Sequence, residues 1–198
     1  MEIRIATQKD IAAIVDIHKS AFEGFFLTSL GTKFLKFYYK AFVKSEDSVV
    51  LCAVEDGDVL GFSAATKKCK GFNSRLIKNN LLSFFVLAVK LLFSQPSSLI
   101  RLAKNLTKKS EEIVDNEDYA ELYSIGTRAE SQGKGIGKKM LKATEDALKN
   151  DGVSKVSLTT DYYNNESAVA FYRTMGYSTL YEFVAYPDRK MYRFIKTL

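Results

Sequence analysis

The sequence predicts an α/β (α+β) fold: one mixed, twisted β-sheet with antiparallel edges, flanked by helices. Three observations predict it. The chain has 198 residues, 46% of them apolar and 13% aromatic, which suits one domain with a sizeable core and excludes a disordered chain. Strand and helix periodicities alternate as β-α-α-β-β over the first 65 residues and as β-α-β-α-β-β from residue 120 onward, the pattern of a sheet with helices packed on it. Between them, residues 66–118 break the alternation with a helical pattern, so they read as an insertion into a single domain spanning 1–198.

Each element follows from its residues. Residues 2–6 alternate around Ile3 and Ile5 and read as a strand. Thr7 has the hydroxyl of a helix N-cap, with Asp10 in the first turn, and Ile11, Ile14, Val15 and His18 then recur at helical spacing up to Phe22. Phe34, Leu35, Tyr38, Tyr39 and Phe42 repeat that period over 32–44. The runs 49–54 and 59–65 flank Glu55-Asp56-Gly57-Asp58 as a hairpin. After the insertion come a strand at 120–127 and a helix at 135–150 with Ile136, Met140, Leu141, Ala147 and Leu148 inward and Gly152 past its end. A strand at 153–160, a short helix at 167–175 and antiparallel strands at 179–185 and 190–195 complete the chain.

The insertion is the compositional outlier. Residues 66–110 hold ten basic residues and no acidic one, a local +10 in a chain whose 29 Lys and Arg against 23 Asp and Glu give +6, so the remainder is net negative. An apolar helix is expected from Arg75 to Phe93, a break at Gln95-Pro96, and a second helix over 98–109 with Arg101, Lys104 and Lys108 on one face and Leu99, Leu102, Ala103 and Leu106 on the other.

Composition also excludes function classes. Cys52 and Cys69 are the only cysteines and His18 the only histidine, too few for a disulfide framework or a four-cysteine zinc site; reduced thiols in a cytoplasmic protein, with no metal, are the expectation. The opening ten residues carry Glu2, Arg4 and Asp10 and no apolar core, unlike a signal peptide. The longest apolar run, 81–93, is short of the roughly 20 residues that span a bilayer and contains Lys90.

Chemistry concentrates in Gln132-Gly133-Lys134-Gly135-Ile136-Gly137-Lys138, three glycines in five residues between a strand and a helix. Glycines permit close backbone approach, amides at a helix start bind phosphate, and Lys134 and Lys138 add positive charge. Two familiar phosphate loops do not fit. A P-loop needs Gly where Gln132 stands and Ser or Thr where Lys139 stands. The dinucleotide fingerprint has its third glycine one residue later, and Asp161 lies too far along to serve as its ribose-binding acid.

Strand, Gln132-x-x-Gly135-x-Gly137, then helix resembles the pyrophosphate loop of the GNAT superfamily of N-acetyltransferases, whose pattern is Arg or Gln, two residues, Gly, one residue, Gly or Ala. A second motif of that family is Asn-x-x-Ala-x-x-x-Tyr-x-x-x-Gly-Phe/Tyr, and Asn165, Ala168, Tyr172, Gly176 and Tyr177 fill it. The opening Arg4-x-Ala6-Thr7-x-x-Asp10 is similar to the family's first strand and helix. The resemblance covers the chain outside about 66–118 and implies the GNAT acyltransferase fold, acetyl-CoA as co-substrate, and acetyl transfer to a primary amine by direct attack in a ternary complex.

The resemblance also implies roles. Amides from Gln132 to Lys138 would hold the CoA pyrophosphate, the strand edge near Ile125 and Thr127 would pair with the pantetheine arm as an added strand does, and Asn165 would touch that arm. Tyr172 matches the tyrosine beside the CoA sulfur, where a phenol would hydrogen-bond or protonate the departing thiolate as the catalytic acid. Glu121 occupies the strand position that serves as general base in the histone-acetylating branch; a water or another residue is the alternative, with Glu117, Asp118 and Asp161 as weaker candidates. His18 is expected to pack or to face solvent. Phe22, Phe25, Phe26 and Tyr38 are expected at the acceptor pocket, with Tyr123, Tyr162 and Tyr163 as further candidates.

For the insertion, three readings stand: a structural lid and homodimer face; a wall for an anionic acceptor such as a nucleotide-linked amino sugar; and peripheral contact with an anionic membrane. Charge alone admits nucleic acid, but no binding motif accompanies it, so nucleic acid is not expected. Rival functions are a non-catalytic acyl-CoA-binding or regulatory module and a membrane-associated acetyltransferase of surface-polysaccharide synthesis.

Overall fold

The structure, a computed structural model, describes residues 1–81, 115–185 and 187–198. Seven strands form one sheet in the order β1-β2-β3-β4-β5-β7-β6. They are β1 (Glu2–Ile5), β2 (Ser48–Glu55), β3 (Asp58–Thr66), β4 (Ala120–Thr127), β5 (Lys155–Asp161), β6 (Ser178–Ala185) and β7 (Arg189–Thr197). Neighbours are antiparallel except β4 and β5, which are parallel. The described helices are α1 (Ile11–Ala21), α2 (Phe26–Ser29), α3 (Gly31–Lys44), α4 (Phe72–Asn79), α5 (Ile136–Asn150) and α6 (Glu166–Thr174). This is the mixed sheet with flanking helices that the sequence predicts.

The apolar run of β2 is covered on both sides. Val50 and Cys52 join a core with Ile14, Ile17, Leu35, Tyr39 and Phe42 of α1 and α3, while Leu51 and Ala53 meet Ile136 and Met140 of α5. Alternate side chains of a strand point to opposite faces, so one strand serves both cores. Leu141 and Leu148 of α5 extend the second core over Val156, Leu158 and Phe194. Gly126 sets the spacing between α1 and β4: a Cβ there would lie 3.2 Å from Ala21 Cβ and 3.5 Å from Ile17 Cγ2.

The start of α1 shows why Arg4, Thr7 and Asp10 travel together. Thr7 and Asp10 form a capping box on the 3-10 turn Gln8–Asp10. The buried Asp10 carboxylate also accepts two 2.8 Å hydrogen bonds from Arg4, which hold it well below the usual carboxylate range.

Two expectations change. The helix expected from Arg75 to Phe93 instead starts at Phe72, behind a left-handed Gly71, and closes at Asn79. Asn80 leaves helical geometry, and its Nδ2 bonds back to the Leu76 carbonyl at 3.0 Å. The single turn α2, unforeseen between the first two helices, is fastened by Thr28 Oγ1 donating to the Phe22 carbonyl at 2.6 Å. The stretch of that helix beyond residue 81, the expected break at Gln95-Pro96 and the helix expected over 98–109, and with them most of the basic insertion, lie outside the described residues. The insertion's flanks are pinned together, since Cys69 N donates to the Tyr119 carbonyl at 2.9 Å. No helix among the described residues is long and apolar enough to cross a membrane.

Candidate active site

A fault in the sheet makes the site. β4 pairs with β3 along its length, but the register slips so that Ala64 faces Ser124 while Ala65 faces Leu122. Tyr123 is therefore an extra residue on β4, a bulge of the kind that bends a strand. On its other side β4 pairs with β5 only from Ala120 to Leu122, against Val156 to Leu158. Beyond those three pairs the parallel strands part.

A cavity of about 510 Å³ fills the gap. Leu122 to Ile125 of β4 and Leu158 to Asp161 of β5 form its sides, and Asn165, Ala168 and Tyr172 enter from α6. The opposite wall is His18, Ala21, Phe22, Phe25, Phe26 and Leu27, from α1 and the turn after it. Ala185, Arg189 and Met191 close the end by β6 and β7. Asp161 accepts a two-pronged ion pair from Arg189, whose guanidinium lies 4.6 Å from the centre of the Phe25 ring, so β5, β7 and the aromatic wall are tied at that mouth.

The glycine loop lies at the far end of β4. Gly133 and Gly135 have φ of +76° and +74°, a left-handed conformation that costs a side-chain-bearing residue about 1 kcal/mol or more. A Cβ at 133, 135 or 137 would meet nothing within 4 Å among the described residues, so the backbone there borders open space. Gly135 is the N-cap of the 15-residue α5 and offers no side-chain cap. The first amides of the helix therefore point outward with the positive end of its dipole. Lys134 and Lys138 are exposed beside them. Ile125 links loop and cavity: it lines the cavity and packs against Ile136 and Met140 of α5.

Asn165 stands at the N-cap of α6, where its Nδ2 donates to Thr160 Oγ1 at 2.6 Å and to the Asp161 carbonyl at 3.3 Å. Tyr172, two turns on, packs beside Phe171, Tyr177 and Phe194, and burial pushes its phenol up to about 12. It therefore stays protonated at any ordinary pH.

Of the residues predicted from sequence, Ile125, Asn165 and Tyr172 meet at the cavity. Thr127 and the loop from Gln132 to Lys138 lie beyond its lining, at the end of the same strand. Glu121 does not line it. Its buried carboxylate accepts a 2.7 Å hydrogen bond from Arg193 Nη1 and one of 3.0 Å from the Cys69 thiol. Phe22, Phe25, Phe26 and Tyr123 line the cavity, whereas Tyr38 is buried in the core against Phe34, Tyr39 and Phe42, and Tyr162 and Tyr163 lie outside the lining.

His18 packs, as one of its two expected settings, and it also lines the cavity. It is 2% exposed, with Nδ1 2.6 Å from Tyr39 Oη, and burial pulls its imidazole down to about 4, so it is neutral. Sequence reasoning missed its place in the site; the signal was a lone histidine on the apolar stripe of a helix. A polar atom buried there without a partner costs about 1–3 kcal/mol, and among the described residues Nε2 has none.

The open glycine cradle, uncapped helix start and unpaired β4 edge fit a long co-substrate with a pyrophosphate at one end and amides along its arm. Among the described residues no three His, Cys, Asp or Glu side chains gather as a metal site.

Comparison with known proteins agrees. A model of the acetyltransferase (GNAT) family matches residues 11–177. Among solved structures, a ribosomal-protein-alanine N-acetyltransferase from Brucella melitensis is similar with a TM-score of 0.66 at 16% identity, over 100% of this chain and 100% of that one. An N-acetyltransferase from Staphylococcus aureus Mu50 gives 0.66 at 16%, over 99% and 97%. An aminoglycoside 6′-N-acetyltransferase solved with coenzyme A gives 0.63 at 12%, over 100% and 97%. At such identities the likeness is one of fold, and no curated protein matches the sequence. The family model carries the assignment further: it runs from the first residue of α1 through both motifs, and the chain belongs to the acetyltransferase (GNAT) family, whose co-substrate is acetyl-CoA.

Proposed function

We propose that this chain transfers an acetyl group from acetyl-CoA to a primary amine by direct attack in a ternary complex. One observation carries the reading: a single cavity joins the Ile125–Asn165–Tyr172 side to the aromatic wall of α1 and α2, so donor and acceptor can meet in one space. Both cysteines are buried away from its lining, and burial pushes the Cys52 thiol up to about 12, which supports transfer without an acyl-cysteine step.

When bound, acetyl-CoA supplies an acetyl group activated as a thioester. The loop amides from Gln132 to Lys138 hold its pyrophosphate, the free edge of β4 at Ile125 and Thr127 pairs with its arm, and Asn165 touches that arm. A backbone N–H of this edge donates to the thioester carbonyl and stabilises the developing oxyanion. Tyr172 donates a hydrogen bond to the departing sulfur. With a phenol near 12 and a thiol near about 8.5, the proton stays on Tyr172 Oη and the bond, rather than full proton transfer, eases the departure. Glu121 is engaged by Arg193 and Cys69, so we assign deprotonation of the amine to water in the cleft, one of the routes the sequence leaves open.

The test is CoA release with acetyl-CoA over a panel of polyamines, amino acids, nucleotide-linked amino sugars and N-terminal peptides. Turnover with one class supports the reading. Tight CoA binding with no turnover on any amine would replace it with an acyl-CoA-binding module.

A further inference from the structure

The wall that α1 and α2 give the cavity is apolar except at one residue. Among Ala21, Phe22, Phe25, Phe26, Leu27 and His18, only His18 carries a polar side chain. The imidazole leans on Phe22, with ring centres 4.7 Å apart, and its Nδ1 faces Tyr39. Tyr39 Oη donates to Ser124 Oγ at 3.2 Å. A hydroxyl has one proton, so the 2.6 Å contact between Nδ1 and Tyr39 Oη takes its proton from Nδ1. That tautomer leaves Nε2 with a bare lone pair. Nε2 is buried and has no partner among the described residues, although buried polar atoms are nearly always paired. The core has no use for it, since Nδ1 alone serves the chain His18–Tyr39–Ser124.

We propose that His18 Nε2 is the recognition atom for the acceptor, receiving one N–H of an amine carried on an apolar or aromatic body that the rings of Phe22, Phe25 and Phe26 seat. This rests on the reading above of the cleft as an amine-acetylating site. Holding the amine by one N–H leaves its nitrogen lone pair for attack. The substrate class is thus a primary amine on an uncharged apolar body, deprotonated in the cleft before it attacks, and the neighbouring mouth supports this, because Arg189 is engaged by Asp161 and Phe25 rather than left for an anion.

His18 is the only histidine, so the full chain labelled with heavy-nitrogen histidine yields one imidazole in a long-range proton–nitrogen correlation spectrum. The free protein should show a proton on Nδ1 and a bare Nε2. Phenethylamine and octylamine, added with CoA present, should move the Nε2 resonance more than putrescine or glucosamine do, and leave Nδ1 nearly still. Two variants extend the test. H18N keeps an amide near the Nδ1 position and deletes Nε2; H18Q reaches the Nε2 position. H18N should raise the acceptor KM by about tenfold, the scale of one lost hydrogen bond, with CoA affinity unchanged in calorimetry, and H18Q should restore most of it.

An Nε2 resonance that no amine moves, or an H18N enzyme with unchanged acceptor KM, would overturn the proposal. If H18N does not fold, the wild-type spectrum decides alone. Should phenethylamine move Nε2 while no amine is ever acetylated, the amine contact stands and the catalytic reading falls.

Discussion

Two side chains in the cleft illustrate how burial sets protonation in opposite chemical senses. Tyr172 is held as a donor, and His18 as a neutral ring. In the proposed mechanism, replacing Tyr172 by Phe removes one hydrogen bond to a charged sulfur, about 1.5–3 kcal/mol, so kcat should fall by roughly 10- to 150-fold while the CoA dissociation constant stays within about twofold. Steady-state kinetics beside calorimetry checks both numbers. For His18 the effect is on stability. Its pKa is near 6.5 unfolded and about 4 folded, so the unfolded chain binds an extra proton as pH falls from 6.5 to 4. Stability is complete above 6.5 and drops across that window by up to about 3 kcal/mol. Denaturant unfolding against pH should show this slope, and His18→Asn should flatten it. Asp10 is held low by Arg4 and adds a further loss only below about pH 4. At this scale the sequence revealed Tyr172 and Asn165 through motif spacing. It did not reveal the partners of Glu121, because Arg193 and Cys69 lie 72 and 52 residues away and meet it only through the sheet register.

Elements gave themselves away where the periodicity was long and apolar. β4 was read residue for residue, and β2, β3, α3 and α5 within a residue or two, since each buries one or two faces throughout. The turn α2 escaped because four residues hold no period, and the break at Asn80 escaped because the apolar pattern runs straight through it. The bulge at Tyr123 carries no local signal either; it comes from pairing with β3. Two predictions belong here. Gly135→Ala forces a side chain into a left-handed N-cap and should cost about 1 kcal/mol or more of stability while weakening CoA binding; Gly137→Ala lies in the first turn with ordinary φ and should stabilise α5 by about 0.5–1 kcal/mol with CoA binding retained. Thermal melts and CoA titrations of the two variants separate these outcomes. Glu121→Gln breaks a buried ion pair joining β4 to β7 and should lower stability by about 3 kcal/mol. A large kcat loss with unchanged stability would instead return Glu121 to the role of base.

Across the whole molecule, the order of elements along the chain was legible because strand and helix periodicities alternate. The cleft was legible only as an implication of family resemblance, since it depends on where β4 and β5 stop pairing. In the proposed placement CoA spans both banks of that cleft, so saturating it at about 100 times its dissociation constant should raise stability by about 2.7 kcal/mol, visible as a melting shift of roughly 5–10 °C. The parting of β4 from β5 has a mechanical side as well. The sheet is two plates, β1–β4 and β5–β7, and the hydrogen-bonded weld between them is three residue pairs long. Thermal breathing will concentrate along that weld, and the amide protons of Ala120–Leu122 and Val156–Leu158 will trade with heavy water sooner than those of the long β2–β3 pairing. What fills the slot also mends the weld: the enzyme should be stiffest while loaded and loosest at the moment it lets its products go.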